Sequence, residues 1–385
     1  MTRLSVLHAA KFYPPSRGGM ETVIGDLCGG TSGAWDVRVV AASEAARTTA
    51  EQLDGVSVVR AGSLGKVSSV PICPSLPYHV WRRPADCVVL HEPNPIAGSA
   101  IALHVPAKRL IVWHHSDLLR PWWAPHTYGR LQRLVYRRAD CVIASSRALA
   151  DGSPLVREAK HVAIVPFGIA LERFGEMGAA IDERVRALGS GGSRPRVLFV
   201  GRFVYYKGLD VLIDAMASCR GELWLVGEGP LESTLRQHVA ARGIADRVRW
   251  LGRATDDDLP AIYRAADIFV LPSVATTETF GVVQIEAMAS GLPIVSTNLP
   301  TGVPWVNRDG VSGLVVPPGD ADALAQAIRR LEDDRSLRRR LGENAVARAR
   351  LQFSRERMVA RFKDVVEHVV DQPRSVAALA GVEWS

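Results

Sequence analysis

At 385 residues the chain exceeds what one hydrophobic core usually holds, so two domains of about 180–200 residues are expected. Hydrophobic residues make up 47% and charged residues 23%, the balance of an ordinary soluble globular protein rather than a disordered one. The net charge of +7 is uneven: residues 1–180 hold 20 Lys/Arg against 14 Asp/Glu, and residues 181–385 hold 27 against 26. A basic first half suits an anionic surface, lipid or nucleic acid, or is solubility charge alone. The five cysteines, Cys28, Cys73, Cys87, Cys141 and Cys219, form no CxxC, which points to a reducing cytosol without structural zinc. The opening "MTRLSVLHAAKFYPP" is broken by His8 and Lys11 and reads as a first strand and loop, not a signal peptide. No apolar run reaches the ~18–20 residues of a membrane span, so any membrane contact is expected to be peripheral.

Short apolar runs alternate with helical patterns along the chain. Strands are predicted at 4–9, 36–42, 56–61, 86–92, 109–115, 140–146 and 161–168, with helices near 20–28, 95–103, 127–138 and 147–152. The runs are continuous rather than alternating, as in strands buried on both faces of a parallel sheet. A Gly/Ser/Pro cluster, "GSGGSRP", then ends the stretch 176–196 and marks a linker over 181–195. A second series follows: strands at 196–201, 222–227, 247–252, 267–273, 293–297 and 313–318, with helices at 208–218, 230–242, 256–265 and from 280–281 to Gly291. Further helices fall near 320–332, 335–350 and 354–370. Two βα series joined by a Gly-rich connection predict an α/β fold of two doubly wound, Rossmann-like domains facing across a cleft. Their expected limits are 1–180 and 196–353. The segment 354–385 is expected to cross back to the first domain and end in a frayed tail.

In open α/β sheets ligands sit beyond the carboxyl ends of the strands, and three loops of the second series carry chemistry there. In "GRFVYYKG" (201–208), Arg202 and Lys207 reach one point with no acid between them, which suits a diphosphate or is ordinary surface charge. In "GEGP" (227–230), Gly227 and Gly229 allow a close backbone approach to a nucleotide, or simply a tight turn before Pro230. In "TETFGVVQIEAMASGLP" (277–293), a helix starts near Phe280 and Gly281, and its free N–H groups favour an anion. Glu278 precedes that start. Glu286 lies about 9 Å down the helix from Phe280 at ~1.5 Å per residue. A nucleotide sugar with its diphosphate on the helix start would bring sugar hydroxyls to Glu278 and ribose hydroxyls to Glu286. The plain alternative is one exposed and one partly buried glutamate.

Together these segments resemble the family-4 retaining glycosyltransferases of the GT-B fold, also called glycosyl transferases group 1. "ETFGVVQIE" (278–286) matches their E-x(7)-E motif, "GRFVYYKGLDVLIDA" their GR…KG…L segment and "VGEGPL" their G-x-G turn, and "YRAADIFVLPS" reads almost unchanged. The first half matches more loosely through "GGMET" (18–22), "WHHSD" (113–117) and "VPFGI" (165–169). The resemblance implies that Glu278 contacts the transferred sugar and Glu286 the ribose, that Arg202 and Lys207 hold the diphosphate, and that Gly19 lets a first-domain loop approach it. His115 matches the first-domain histidine near the sugar, with His114 the adjacent alternative. Gln284 and Val283 depart from the commoner apolar pattern of that helix, which leaves the donor's identity open. The implied reaction is transfer with retention, a nucleoside diphosphate leaving and no carboxylate nucleophile evident. The nucleotide sugar, GDP-mannose or a UDP-sugar, is substrate, and no cofactor is implied. The acceptor expected is a lipid-linked or other saccharide of cell-surface polysaccharide synthesis.

No metal is expected, since two cations already face the diphosphate and "TDDDL" (255–259) reads as a helix cap. The stretch 117–138 interleaves Trp122, Trp123, Tyr128 and Tyr136 with Arg120, Arg130, Arg133, Arg137 and Arg138. This suits an anionic membrane interface at the cytoplasmic face, or nucleic acid, or a helix packing Leu131, Leu134 and Val135 inward beneath a solvated Arg face. The basic first half favours the membrane, and no nucleic acid is expected. Two rivals share the fold. A sugar-nucleotide epimerase would act without an acceptor, and a non-catalytic sugar-nucleotide binder would not need Arg202, Lys207, Glu278 and Glu286 intact.

Overall fold

The computed structural model describes residues 3–16, 18–67, 70–117, 128–175, 178–189 and 194–371. Arg120, Trp122 and Trp123, part of the Gly/Ser/Pro cluster and the tail beyond 371 lie outside them. The chain divides into two units, Met1–Phe167 with Arg355–Ser385, and Gly168–Ser354.

The first unit runs β1 (Ser5–Ala9), α1 (Gly19–Ser32), β2 (Asp36–Ala42), β3 (Thr49–Leu53), β4 (Val56–Ala61), β5 (Lys66–Val67), β6 (Val70–Pro71), α2 (Leu76–Trp81), β7 (Ala85–Glu92), α3 (Pro95–Leu103), β8 (Ala107–His114), α4 (Gly129–Arg138), β9 (Cys141–Ala144), α5 (Arg147–Gly152) and β10 (Val162–Ile164). Its eight-stranded sheet has the order β10-β9-β8-β7-β1-β2-β4-β3. The ladders are parallel except β3 against β4. The central strands are buried on both faces, as their unbroken apolar runs require: Val6, Leu7, Val88, Val89, Ile111 and Val112 are fully buried. Strand β3, "TAEQL", is polar and mostly exposed, and only its pairing with β4 makes it a strand. The strand predicted at 161–168 is paired only over Val162–Ile164, where it lies beside β9.

The second unit runs α6 (Glu172–Gly175), α7 (Ala179–Ala187), β11 (Arg196–Val200), α8 (Leu209–Ala217), β12 (Glu222–Val226), α9 (Glu232–Ala241), β13 (Val248–Gly252), α10 (Leu259–Ala265), β14 (Ile268–Leu271), α11 (Val282–Ala289), β15 (Ile294–Thr297), α12 (Val303–Val306), β16 (Gly313–Val316), α13 (Ala321–Asp333) and α14 (Arg335–Gln352). Its six-stranded parallel sheet has the order β13-β12-β11-β14-β15-β16. Val197, Phe199, Leu223, Leu225, Ile268, Val270 and Val295 fill the core. Each such side chain contributes about 1.5–3 kcal/mol by leaving water. The last helix, α15 (Arg355–Asp371), belongs to the first unit. Its Phe362 packs on His8, Trp35 and Trp113.

Two expected limits move. The first unit stops at Phe167 rather than at 180, because α6 packs with α10 and α11 of the second. The expected linker 181–195 is helical as far as Ala187, since Arg184 pairs with Asp258 at 3.0 Å and Asp182 with Arg264 at 3.8 Å. Both sheets are doubly wound. In the first, β1 lies between β2 and β7; in the second, β11 lies between β12 and β14. Connections diverge at those points, and the crevice so formed is where such sheets bind ligands.

Candidate functional site

In the second unit the loops after β11 and β14 meet at that point. Lys207 leaves the first loop just before Gly208 (φ +64), where a Cβ would overlap the carbonyl oxygen of Pro272. Lys207 Nζ donates to Glu278 Oε2 at 2.5 Å, and Ser273 Oγ donates to the same oxygen at 2.9 Å. Both members of the ion pair are about nine-tenths buried, their side chains 10% exposed. Burial alone would lower the Lys207 pKa, but the Glu278 carboxylate, Tyr206 and the hydrogen bond outweigh it and raise it. Glu278 Oε1 makes no hydrogen bond among the described residues. Arg202 is exposed, and its guanidinium makes no ion pair or hydrogen bond among the described residues.

The helix begins at Val282, one residue after the expected start, because Gly281 is its N-cap and sits in the left-handed region at φ +71. Being a glycine, this N-cap makes no side-chain cap hydrogen bond. Gln284, fully buried, donates through Nε2 to the Phe280 carbonyl at 3.0 Å and fastens the turn. The Phe280 ring is 1% exposed and packs against Trp305 and Phe353. It is therefore a core side chain, and the expectation of a ligand contact there reduces to the backbone turn it anchors. Further along α11, Glu286 Oε2 accepts from Tyr263 Oη at 2.7 Å, leaving Oε1 without a partner among the described residues. Burial raises the Glu286 pKa, while the Tyr263 hydrogen bond and Arg173 oppose the rise. Each carboxylate thus uses one oxygen internally and leaves the other open.

Gly227 and Gly229 have a packing reason of their own. A Cβ on Gly227 would overlap the Gly201 carbonyl oxygen, and one on Gly229 the Phe203 carbonyl oxygen. The bond from Phe203 N to the Glu228 carbonyl, 2.9 Å, ties the two loops together. "TDDDL" caps through its threonine rather than its aspartates: Thr255 Oγ1 accepts from Asp258 N at 3.1 Å and donates to Asp258 Oδ2 at 2.6 Å. Among the described residues no group of His, Cys, Asp and Glu is placed to hold a metal ion.

In the first unit Gly19 opens α1, and among the described residues no atom beyond its chain neighbours and its own helix backbone lies within 4 Å of where a Cβ would stand. His114 and His115 diverge at the end of β8. His114 Nδ1 lies 2.7 Å from Tyr136 Oη, and its Nε2 3.8 Å from Asp117 Oδ1. His115 Nε2 lies 3.1 Å from His91 Nδ1. Glu92, fully buried, accepts from Tyr128 Oη at 2.8 Å and Gln132 Nε2 at 2.9 Å, which anchors α4 to the end of β7. Helix α4 packs Gln132, Val135 and Tyr136 inward and exposes Arg130, Arg133, Arg137 and Arg138. Arg137 is held by Glu158 at 2.8 Å, and Arg138 donates to the Ala102 carbonyl. No helix among the described residues is long and apolar enough to cross a membrane.

The sequence reasoning missed Tyr263, Ser273 and Gln284 as partners of the site, although Tyr263 and Ser273 stand in the quoted "YRAADIFVLPS". It also missed His8 and His91, which carry no local signal.

Residues 181–348 match the family model described as glycosyl transferases group 1, and residues 18–168 that described as glycosyl transferase 4-like domain. The D-rhamnosyltransferase WbpZ of Pseudomonas aeruginosa is 31% identical over 359 residues, spanning 91% of this chain and 92% of that protein. The O-antigen chain mannosyltransferase C of Escherichia coli is 28% identical over 368 residues, 93% of this chain and 97% of that protein. Among solved structures, sucrose-phosphate synthase from Thermosynechococcus elongatus superposes with a TM-score of 0.79 at 23% identity, covering 95% and 99% of the two chains. Anabaena Alr3699/HepE in complex with UDP-glucose gives 0.78 at 21% identity, covering 95% and 100%. At these identities the solved structures are similar in fold.

Proposed function

The chain belongs to the glycosyl transferases group 1 family, and we propose that it moves mannose from GDP-mannose to a saccharide acceptor with retention at the anomeric carbon. The observation that carries this reading is two half-engaged carboxylates, Glu278 on buried Lys207 and Ser273, and Glu286 on Tyr263, before and within the helix that follows β14. Glu278 Oε1 accepts from hydroxyls of the transferred sugar, and Glu286 Oε1 from the ribose. Lys207, Arg202 and the free N–H groups of α11 stabilise the charge that grows on the leaving diphosphate. Because Glu278 offsets Lys207, Arg202 and the helix start carry more of that task than a count of cations suggests. The backbone of Gly227 and Gly229 lines the nucleotide. No divalent metal is required, since preorganised donors already neutralise the leaving group.

The mannosyl- and rhamnosyltransferases among the relatives support a hexose or deoxyhexose donor and an acceptor of lipopolysaccharide or related cell-surface glycan synthesis. A lipid-linked acceptor places the enzyme at the cytoplasmic face of a membrane, where the arginine face of α4 meets anionic headgroups. The test is a donor panel of GDP-mannose, UDP-glucose, UDP-N-acetylglucosamine and a nucleotide-linked deoxysugar, read by nucleotide release. GDP-mannose is expected to turn over fastest, and the anomeric proton of the product is expected to keep the donor's configuration. Release from no donor overturns the enzymatic reading. Inversion overturns the mechanism.

A further inference from the structure

Helices α2, α3 and α4 lie side by side on the first unit's sheet and bury Leu76, Val80, Ile101 and Val135 in one core. They lead in turn into the amino ends of the parallel strands β7, β8 and β9. Their last turns therefore share the edge opposite the carboxyl end, where such sheets hold ligands. Two neighbours close there on the last turn of α3. Trp81 Nε1, from α2, donates to the Ala100 carbonyl at 3.0 Å, and Arg138 Nη1, from α4, donates to the Ala102 carbonyl at 2.6 Å. Leu103, the last residue of α3, is 73% exposed, and Tyr78 and Trp81 on α2 are 51% and 38% exposed.

A single exposed leucine says little, whereas neighbouring large apolar side chains at one edge do. The Trp81 N–H is already used, so what its ring shows to solvent is apolar. Arg82 Nη1 donates to Tyr78 Oη at 2.6 Å. Residues 74–84, 95–106 and 129–139, which form the three helices and their ends, hold six arginines and no Asp or Glu. Among the described residues only Arg137 of these six is paired with an acid, Glu158. The α3 carbonyls that would repel an anion are those that Trp81 and Arg138 cover. Apolar side chains set among arginines without acids suit a bilayer with anionic headgroups, rings and leucine in the interfacial layer and guanidiniums on phosphates. A second copy of the chain, meeting this face with its own, would set arginines against arginines.

We infer that Tyr78, Trp81 and Leu103 form an apolar anchor that enters the interface of an anionic bilayer. This rests on the reading of α4 as meeting headgroups, and adds to it a component that salt does not remove. The anchor leaves the carboxyl end of the same sheet clear.

The test is co-sedimentation of the full chain with phosphatidylglycerol–phosphatidylcholine vesicles at low and high salt, without donor. Wild type is expected to lose part of its binding in high salt and to keep the rest. Leu103→Ser is expected to weaken the high-salt component about threefold, and Leu103→Ser with Tyr78→Ser about tenfold. Melting is expected to change little, since both side chains are mostly in solvent. All five cysteines are buried, so Leu103→Cys offers a selective thiol for a polarity-sensitive dye. Its emission is expected to shift to the blue on vesicles, while the same dye at Val311→Cys, an exposed position of the second unit, stays unchanged. Binding wholly abolished by salt, or a Leu103→Cys dye that remains in water on bound protein, overturns the anchor and leaves the arginine contact standing. No binding at either salt overturns both. Leu103→Ser that splits a dimer in sedimentation velocity, and binds vesicles as wild type does, assigns the patch to a second copy and overturns the anchor. With no donor present, none of these results depends on which sugar is transferred.

Discussion

Replacing Lys207 by Met strands the Glu278 carboxylate in a site where its side chain is 10% exposed and only Ser273 Oγ remains as a donor. Breaking a buried pair by removing one partner costs about 3–5 kcal/mol, because the survivor stays desolvated and uncompensated. For a unit of this size, at ~2–4 °C per kcal/mol, melting falls by roughly 6–20 °C. Glu278→Gln in the same background removes the stranded charge and is expected to recover most of that loss, with a coupling of at least ~1 kcal/mol in the double-mutant cycle. Activity follows a different rule. Losing a charge-stabilising donor costs about 2.7–4 kcal/mol of transition-state binding, so kcat/KM falls more than tenfold in Lys207→Met and stays low in the double variant. The double variant is thus expected to be stable and inactive. Urea unfolding followed by circular dichroism gives the stabilities, and initial rates of nucleotide release give the activities. A single variant destabilised by less than ~1 kcal/mol, or a double variant no more stable than Lys207→Met, refutes the buried-pair reasoning. Wild-type turnover in either refutes the site. The pH dependence has a definite sign. The folded pKa of Lys207 is raised, so the pair's contribution is fully present below the ordinary lysine value and is lost only as pH climbs through the higher folded value.

Donor affinity is expected to fall on acidification at a pH above the ordinary carboxylate range, because burial raises the Glu286 pKa and only its ionised form accepts two hydroxyls. Tyr263→Phe moves that inflection further up, and Glu286→Gln abolishes it; a KM for GDP-mannose with the same acid limb in Glu286→Gln counts against the ribose contact. Stability has the opposite sense. A raised carboxyl pKa favours the fold below the unfolded value and is lost as pH rises through the folded one, so Glu286→Gln is expected to raise the melting temperature at pH 7 more than at pH 4. Arg202→Ala, on an exposed side chain, is expected to cut kcat/KM more than tenfold while leaving melting unchanged; turnover within twofold of wild type removes Arg202 from the diphosphate site. Activity is expected to persist in excess EDTA, and a loss restored by Mg²⁺ or Mn²⁺ contradicts the metal-free mechanism. Changing Arg130, Arg133, Arg137 and Arg138 to Gln is expected to weaken salt-sensitive binding to anionic vesicles while donor hydrolysis continues, since exposed charges are screened over ~8–10 Å. Equal binding of wild type to neutral vesicles returns α4 to a solvated helix face.

The strands were legible because a strand buried on both faces needs an unbroken apolar run, and "DCVVLHE" and "DIFVLPS" supply it without reference to neighbours. "TAEQL" supplies nothing of the kind; it is a strand because the edge of β4 has backbone groups to pair. The spacing of Glu278 and Glu286 was legible too, since a helix converts eight positions into a fixed rise. What each carboxylate touches was not. Lys207 stands 71 residues before Glu278, and Tyr263 stands 23 before Glu286. Those pairs exist only because β11 lies beside β14, and because α10 and α11 both pack against α6. The histidines make the case most plainly. His8 and His91 are 83 residues apart and His91 and His115 are 24 apart, with no motif spacing. Local periodicity puts His8 and His91 on strands and His115 just past the end of one. The order of β1, β7 and β8 in the sheet, set by which crossover helices pack on which face, brings their rings into line.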